Sequence, residues 1–235
     1  MNRMYRQQVE LLLRIIPTLE EVDSFAIHGG TAINLYILDL PRYSVDIDVT
    51  YTPIKPRDES FADIHKNLSI IKEKVKTVVP DIVITEKPNK IYCTRKGVMV
   101  KIEVSGTKRG LIDPATIRPL CDAAQNEFET TNKAKIVSLS QLYGGKIAAA
   151  LDRQHPRDLF DVKLMFDFIN SNLSLQDKEF LIAFESGEEL SRYNEYQEYL
   201  RFPSVQWKMQ NISKLKRINP AKLRKSIEKL EDFLL

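Results

Sequence analysis

The sequence predicts an α+β protein in two parts, with strands and helices intermixed over residues 1–135 and a mainly helical region over residues 136–235. Three patterns carry that expectation. Residues 45–49 (VDIDV) and 98–105 (VMVKIEVS) alternate in polarity, the period of a strand that buries one face. Phe61, Ile64, Leu68, Ile71, Val75 and Val78 recur at gaps of three and four, the stripe of a long amphipathic helix ending before Pro80. Past residue 138 the periodicities are helical throughout.

Taken in order, the chain opens with Val9, Leu12, Leu13, Ile15 and Ile16 at helical spacing, a helix over residues 2–16 that Pro17 interrupts. A short apolar run, Phe25, Ala26 and Ile27, reads as a strand leading into Gly29, Gly30 and Thr31. A helix beginning at Thr31 should end near Leu38, because Pro41 disfavours helical backbone just before it. A strand over residues 45–51 follows, then a loop holding Pro53 and Pro56, then the long helix. Residues 81–85, 90–94 and 97–105 read as three strands, with Pro88-Asn89 as the turn of a hairpin or meander. Residues 111–130, with Pro114 and Pro119, read as a connection with room for short strands. Residues 138–152 form a helix in which Gly144 and Gly145 each cost about 1 kcal/mol relative to alanine, so another helix or a nucleotide should approach there. Pro156 restarts a helix whose buried stripe should be Leu159, Val162, Met165, Phe166 and Ile169. Helices over residues 175–184, 188–200 and 220–234 complete the chain.

Composition narrows the class. With 235 residues, 43% apolar and 29% charged, the chain has the make-up of a water-soluble protein able to bury a core. It holds no apolar run near the ~18 residues a membrane helix needs. The start, MNRMYRQQVELLLRII, lacks the features of a signal peptide, so a cytoplasmic location and no membrane partner are expected. Cys93 and Cys121 are too few for a zinc site or a disulfide framework. A net charge of +3 does not by itself call for nucleic acid.

The chemistry concentrates in residues 28–51. On a strand, Asp46 and Asp48 share one face while Val45, Ile47 and Val49 share the other. Two adjacent carboxylates repel unless a cation sits between them, and a hard oxygen-loving ion, Mg²⁺ or Mn²⁺, fits that need. An exposed edge strand would also carry such a pair. Gly29 and Gly30 let backbone N–H groups approach a ligand, and the start of a helix attracts phosphate. An ordinary tight turn capped by Thr31 would read the same way. Glu103 is a third carboxylate on a strand that could lie beside the aspartates, or else a salt-bridge residue. Lys146 stands on a helix face kept small by Ala149 and Ala150, with Arg153 further along, as a phosphate-reaching cation or a surface lysine would. Asp158 and Asp161 occupy the first turn of a helix, where negative charge is favoured in any case. Lys208, Lys214, Lys216, Arg217, Lys222, Arg224, Lys225 and Lys229 make the last third basic, with Tyr199 and Trp207 available for stacking. Such a run is either a solvated helix surface or a contact for an RNA backbone.

The whole segment HGGTAINLYILDLPRYSVDIDV resembles the AbiEii/AbiGii (MenT-like) type IV toxin family of the nucleotidyltransferase superfamily. The likeness is specific over residues 25–105, looser over 146–161, and beyond 170 extends only to helical character. It implies a polymerase-beta-like domain, a mixed sheet flanked by helices, followed by a helical domain that brings a lysine and an aspartate to the active-site cleft. It implies an NTP-dependent nucleotidyltransferase in which Gly29, Gly30 and Thr31 bind the triphosphate, with Arg42 and Ser44 matching the pattern before the aspartates. Asp46 and Asp48 would hold the catalytic magnesium, with Glu103 as the third acid and metal ligand, so that the three bind one or two Mg²⁺ and Glu103 activates the attacking hydroxyl through the second metal. Lys146 matches the family's lysine motif, and Asp158 and Asp161 its Arg-Asp-x-x-Asp element, Asp158 orienting Lys146 or the acceptor. By the same resemblance the acceptor is RNA, a tRNA 3′ end, and a cognate antitoxin relieves the growth arrest. Transfer to a protein or a small molecule, or a nucleotide-binding regulator without turnover, are the competing readings.

Overall fold

The computed structural model describes residues 3–111, 113–153 and 155–172. The helices expected at 175–184, 188–200 and 220–234, and the basic C-terminal run with Tyr199 and Trp207, lie outside the described residues. The chain divides into two compact units, Met1–Ser138 and Leu139–Leu235.

The first unit is built on a seven-stranded mixed sheet. Helix α1 (Arg3–Ile15) buries Val9, Leu11, Leu12, Leu13 and Ile15. At Pro17 the chain tightens into a 3-10 segment, Ile16–Glu21, before strand β1 (Phe25–His28). Helix α2 (Gly29–Ala32) starts two residues before Thr31, where the sequence reading placed it, and widens into a π-helical turn, Ile33–Ile37. That wide turn closes through Leu38 N–H donating to Ile33 O at 2.8 Å, and Leu40 then takes a positive φ of 54° ahead of Pro41. Strand β2 (Asp46–Tyr51) leads to helix α3 (Arg57–Val78). Its buried face is Ser60, Ile64, Leu68, Ile71 and Val75. The stripe expected from Phe61 to Val78 is displaced at both ends. Val78 is 43% exposed, and Ser60 is buried because its hydroxyl bonds back to Pro56 O at 2.9 Å.

Strands β3 (Val83–Lys87), β4 (Lys90–Arg95) and β5 (Val98–Arg109) form an antiparallel meander. Strand β5 runs past Ser105, where the sequence reading ended it. The stretch read as a connection with room for short strands contains one, β6 (Thr116–Pro119), and also helix α4 (Asp122–Phe128), which was not expected; strand β7 (Lys133–Ile136) follows. These short pieces give too few residues for a period to show, and β6 leaves Ile117 66% exposed.

The strands lie in the order β3-β4-β5-β2-β1-β7-β6. The β2–β5 and β1–β7 pairs are parallel and the others antiparallel. A parallel pair needs a long crossover, and α3 with the β3–β4 hairpin supplies it between β2 and β5. The result sets the aspartate strand in the middle of the sheet, with Ile47, Val49, Ile102 and Val104 fully buried beneath it.

In the second unit, helix α5 (Leu139–Arg153) buries Leu142, Tyr143, Ile147 and Ala150, and helix α6 (Pro156–Asn172) follows. The expected α6 stripe is shifted. Asp158, Asp161 and Met165 are the buried positions, while Leu159 and Val162 are half-buried; Phe166 and Ile169 lie beyond the described side chains.

Candidate active site

Where β1 ends and the α2 helix begins, the backbone passes beside the aspartate strand. Antiparallel pairing sets His28 opposite Asp48. Gly29 has a positive φ of 76°, and a Cβ there would stand 2.9 Å from Asp48 Oδ2. At Gly30 a Cβ would meet Ser44 Oγ at 2.8 Å and Arg42 Nη2 at 3.0 Å. The two glycines are thus what allows the turn, the Asp48 carboxylate, Ser44 and Arg42 to pack as one group. His28 is fixed at the strand end by Thr50, with Oγ1 and Nδ1 3.1 Å apart.

Thr31 is 1% exposed, and its hydroxyl donates to the Asp46 carbonyl while lying 3.1 Å from Ser44 Oγ. It ties the helix start to the aspartate strand from below. Within the helical segment, the Asn34 side-chain amide donates to Gly30 O at 2.8 Å and steadies the turn itself. The loop carrying Arg42 and Ser44 is anchored from outside by Tyr43. The Tyr43 hydroxyl donates to the Glu127 carboxylate, and its ring lies 5.9 Å from that of Phe128, over which the Arg6 guanidinium sits at 5.4 Å. Burial first and then the Glu127 carboxylate push the Tyr43 phenol up to about 12.

On the other side of β2, the parallel register with β5 sets Asp46 beside Lys101 and Asp48 beside Glu103. All four side chains share a sheet face. Lys101 Nζ lies 2.6 Å from Glu103 Oε2 and 3.8 Å from Asp46 Oδ2, and Lys90 Nζ lies 2.5 Å from Glu103 Oε1. Burial works against the charge of both Glu103 and Lys101. Their pairing outweighs it, so the Glu103 carboxyl is held below its ordinary range and the Lys101 ammonium above its own. Lys101 has no role in the sequence reading, although its two-residue spacing from Glu103 in the alternating run 98–105 is a signal that the two share a face.

The described residues contain no three His, Cys, Asp or Glu side chains converging as a ready-made metal cage. What β2 offers is a two-carboxylate donor set, with the Asp46 side chain 49% exposed. That set suits Mg²⁺, which is commonly held by one or two carboxylates with substrate phosphates and water completing its octahedron.

A second group of charges lies in the second unit. Lys146 Nζ is 2.9 Å from Asp158 Oδ1 and 2.8 Å from Asp161 Oδ2, with the three side chains 8%, 8% and 0% exposed. Their burial explains why α6 turns Asp158 and Asp161 inward where a solvated first turn would turn them out.

The sequence matches the family model described as nucleotidyl transferase AbiEii toxin, type IV TA system, over residues 10–231. No curated protein matches the chain. Among solved structures it resembles MenT4, a nucleotidyltransferase toxin from Mycobacterium tuberculosis H37Rv, with a TM-score of 0.54 at 12% identity over 81% of this chain and 68% of that one. The antibiotic-resistance factor ANT(2'')-Ia is also similar, with a TM-score of 0.45 at 15% identity over 82% of this chain and 98% of that one.

Proposed function

The chain belongs to the AbiEii nucleotidyltransferase toxin family of type IV toxin–antitoxin systems, and from that premise we propose that it transfers a nucleoside monophosphate from an NTP to an RNA acceptor, a tRNA 3′ end, at Asp46 and Asp48. The observation that supports this reading best is the Gly29–Asp48 approach. A backbone turn with no side chains of its own lies against one of two carboxylates on a single strand face.

In the proposed reaction the acceptor hydroxyl oxygen bonds to the α-phosphorus, the bond from that phosphorus to the β-phosphate's bridging oxygen breaks, and pyrophosphate leaves. Asp46 and Asp48 would hold Mg²⁺, or Mn²⁺, which when bound offsets charge on the phosphates. Gly29 and Gly30 offer backbone N–H groups to the outer phosphates, and Arg42 and Ser44, packed over Gly30, add a cation and a hydroxyl. Thr31 is assigned to hold that turn in place rather than to touch the nucleotide, since its hydroxyl already serves Asp46 O. Glu103 is assigned to activate the acceptor hydroxyl and take up the proton that it loses on attack. Lys146 is assigned to the nucleotide phosphates, oriented by Asp158 and Asp161. The RNA acceptor and the antitoxin rest on the family alone.

The test is transfer of label from each α-³²P NTP, with Mg²⁺, to total RNA and to total protein by wild type and by Asp48→Ala. Label on RNA that falls by at least about a thousandfold in the variant is expected, the scale of losing a group that acts on the transferring phosphate. Label on protein would move the acceptor to a protein side chain, and label unaffected by the substitution would remove Asp48 from the chemistry.

A further inference from the structure

The carboxylates of the site are not alone on their sheet face. Lys101 occupies the position beside Asp46, two register positions from the Asp48–Glu103 pair and so on the same face, and its ammonium group reaches toward Asp46 on one side and Glu103 on the other. Lys90, paired with Glu103 across β4–β5, takes the other Glu103 oxygen. Glu103 is therefore held through both oxygens, which is why Asp46, Asp48 and Glu103 do not converge as a three-acid cage. Three acids this close on one face repel one another, and the lysines relieve that repulsion.

We propose that Lys101 is a built-in counter-ion of the active site, holding Asp46 and Glu103 in the metal-free protein and yielding them when a divalent cation arrives with its nucleotide. The inference rests on the metal reading of Asp46 and Asp48 given above. Two cations cannot crowd one small cluster without repelling each other, so ammonium and metal compete for it. A lone divalent ion meets a cluster already partly neutralised. One that carries a triphosphate brings additional oxygen ligands of its own, and displaces the lysine. A lysine suits this exchange, being a compact charge on a flexible stem that can swing away, and this one is 23% exposed.

The experiment measures Mn²⁺ binding by the loss of the free-ion electron paramagnetic resonance signal, first with Mn²⁺ alone and then with Mn²⁺ and a non-hydrolysable ATP analogue. Wild type, Lys101→Met, Lys101→Gln and Lys101→Arg are compared at equal helicity by circular dichroism. Lys101→Met and Lys101→Gln should bind Mn²⁺ alone about tenfold more tightly than wild type, a typical size for coupling between two ligands. Lys101→Arg, which keeps the charge, should stay near wild type, and adding Asp48→Ala to Lys101→Met should abolish the gain. Wild type that takes up Mn²⁺ with nucleotide while both neutral variants bind Mn²⁺ alone no more tightly than wild type would overturn the counter-ion role and leave the metal site standing. Wild type that takes up no Mn²⁺ even with nucleotide would overturn the metal reading itself, and this inference with it.

Discussion

At Gly29 two constraints meet at one α-carbon, a left-handed φ of 76° and an Asp48 oxygen 2.9 Å from where a Cβ would stand. Gly29→Ala should cost about 1–2 kcal/mol in stability, the usual penalty for an L-residue in that region. It should lower transfer far more, because relief of the clash moves the Asp48 carboxylate; denaturant melts and single-turnover transfer separate the two effects. Lys146 offers a contrasting case, in which charge rather than shape is at stake. Lys146→Met leaves Asp158 and Asp161 buried without that cation, which should cost about 3–5 kcal/mol, and adding Asp161→Asn should restore part of the loss in a urea titration. The Gly-Gly-Thr and Asp-x-Asp residues could be picked out in the sequence because they stand together, a glycine turn and a helix leading within twenty residues to a strand with both acids on one face. The inward turn of Asp158 and Asp161 could not, since acids in a first turn usually face water, and only the partner twelve or more positions away explains them.

The loop between the π-helical turn and β2 carries Arg42 and Ser44, and its fixed point is Tyr43 on Glu127. Tyr43→Phe should cost about 1.5–3 kcal/mol, the range for a hydrogen bond to a charged group. The phenol titrates near 10 unfolded and at about 12 folded. A raised folded value means that this contribution is fully present below about pH 10 and is lost as pH climbs toward 12, so thermal melts of wild type should fall over that window more steeply than those of Tyr43→Phe. Elements with a long period could be read from sequence, α1 and α5 to within a residue at each end, while α3 begins at Arg57, four residues before the stripe that announced it. Residues 29–37, 116–119 and 133–136 resisted because a π turn and four-residue strands leave no period to detect, and because their backbone geometry is set by neighbours distant in sequence.

For the molecule as a whole, alternation along β2 and β5 identified the strands but could not state their neighbours. That the two lie side by side and parallel depends on the crossover through α3 and the hairpin, a property of the path and not of either strand. Among the described residues, all seven strands of the sheet fall before residue 139. A chain ending at Ser138 should accordingly fold cooperatively while transferring no nucleotide. Cys93 provides the readout, because burial pushes its thiol up to about 12 and it is 0% exposed. In both the full chain and the shortened one it should resist a thiol reagent until the sheet unfolds, and early labelling of the shortened chain would show that the first unit needs the second.

The two outermost strands bear on how such a protein persists in a crowded cell. A sheet that ends in open rows of N–H and C=O groups invites another strand to join it, and so to seed aggregates. Here one margin, β3, ends in Glu86 and Lys87, and the other, β6, is four residues long and ends in Pro119, which has no N–H to offer. Both margins of the described sheet thus carry features that discourage chain-to-chain growth.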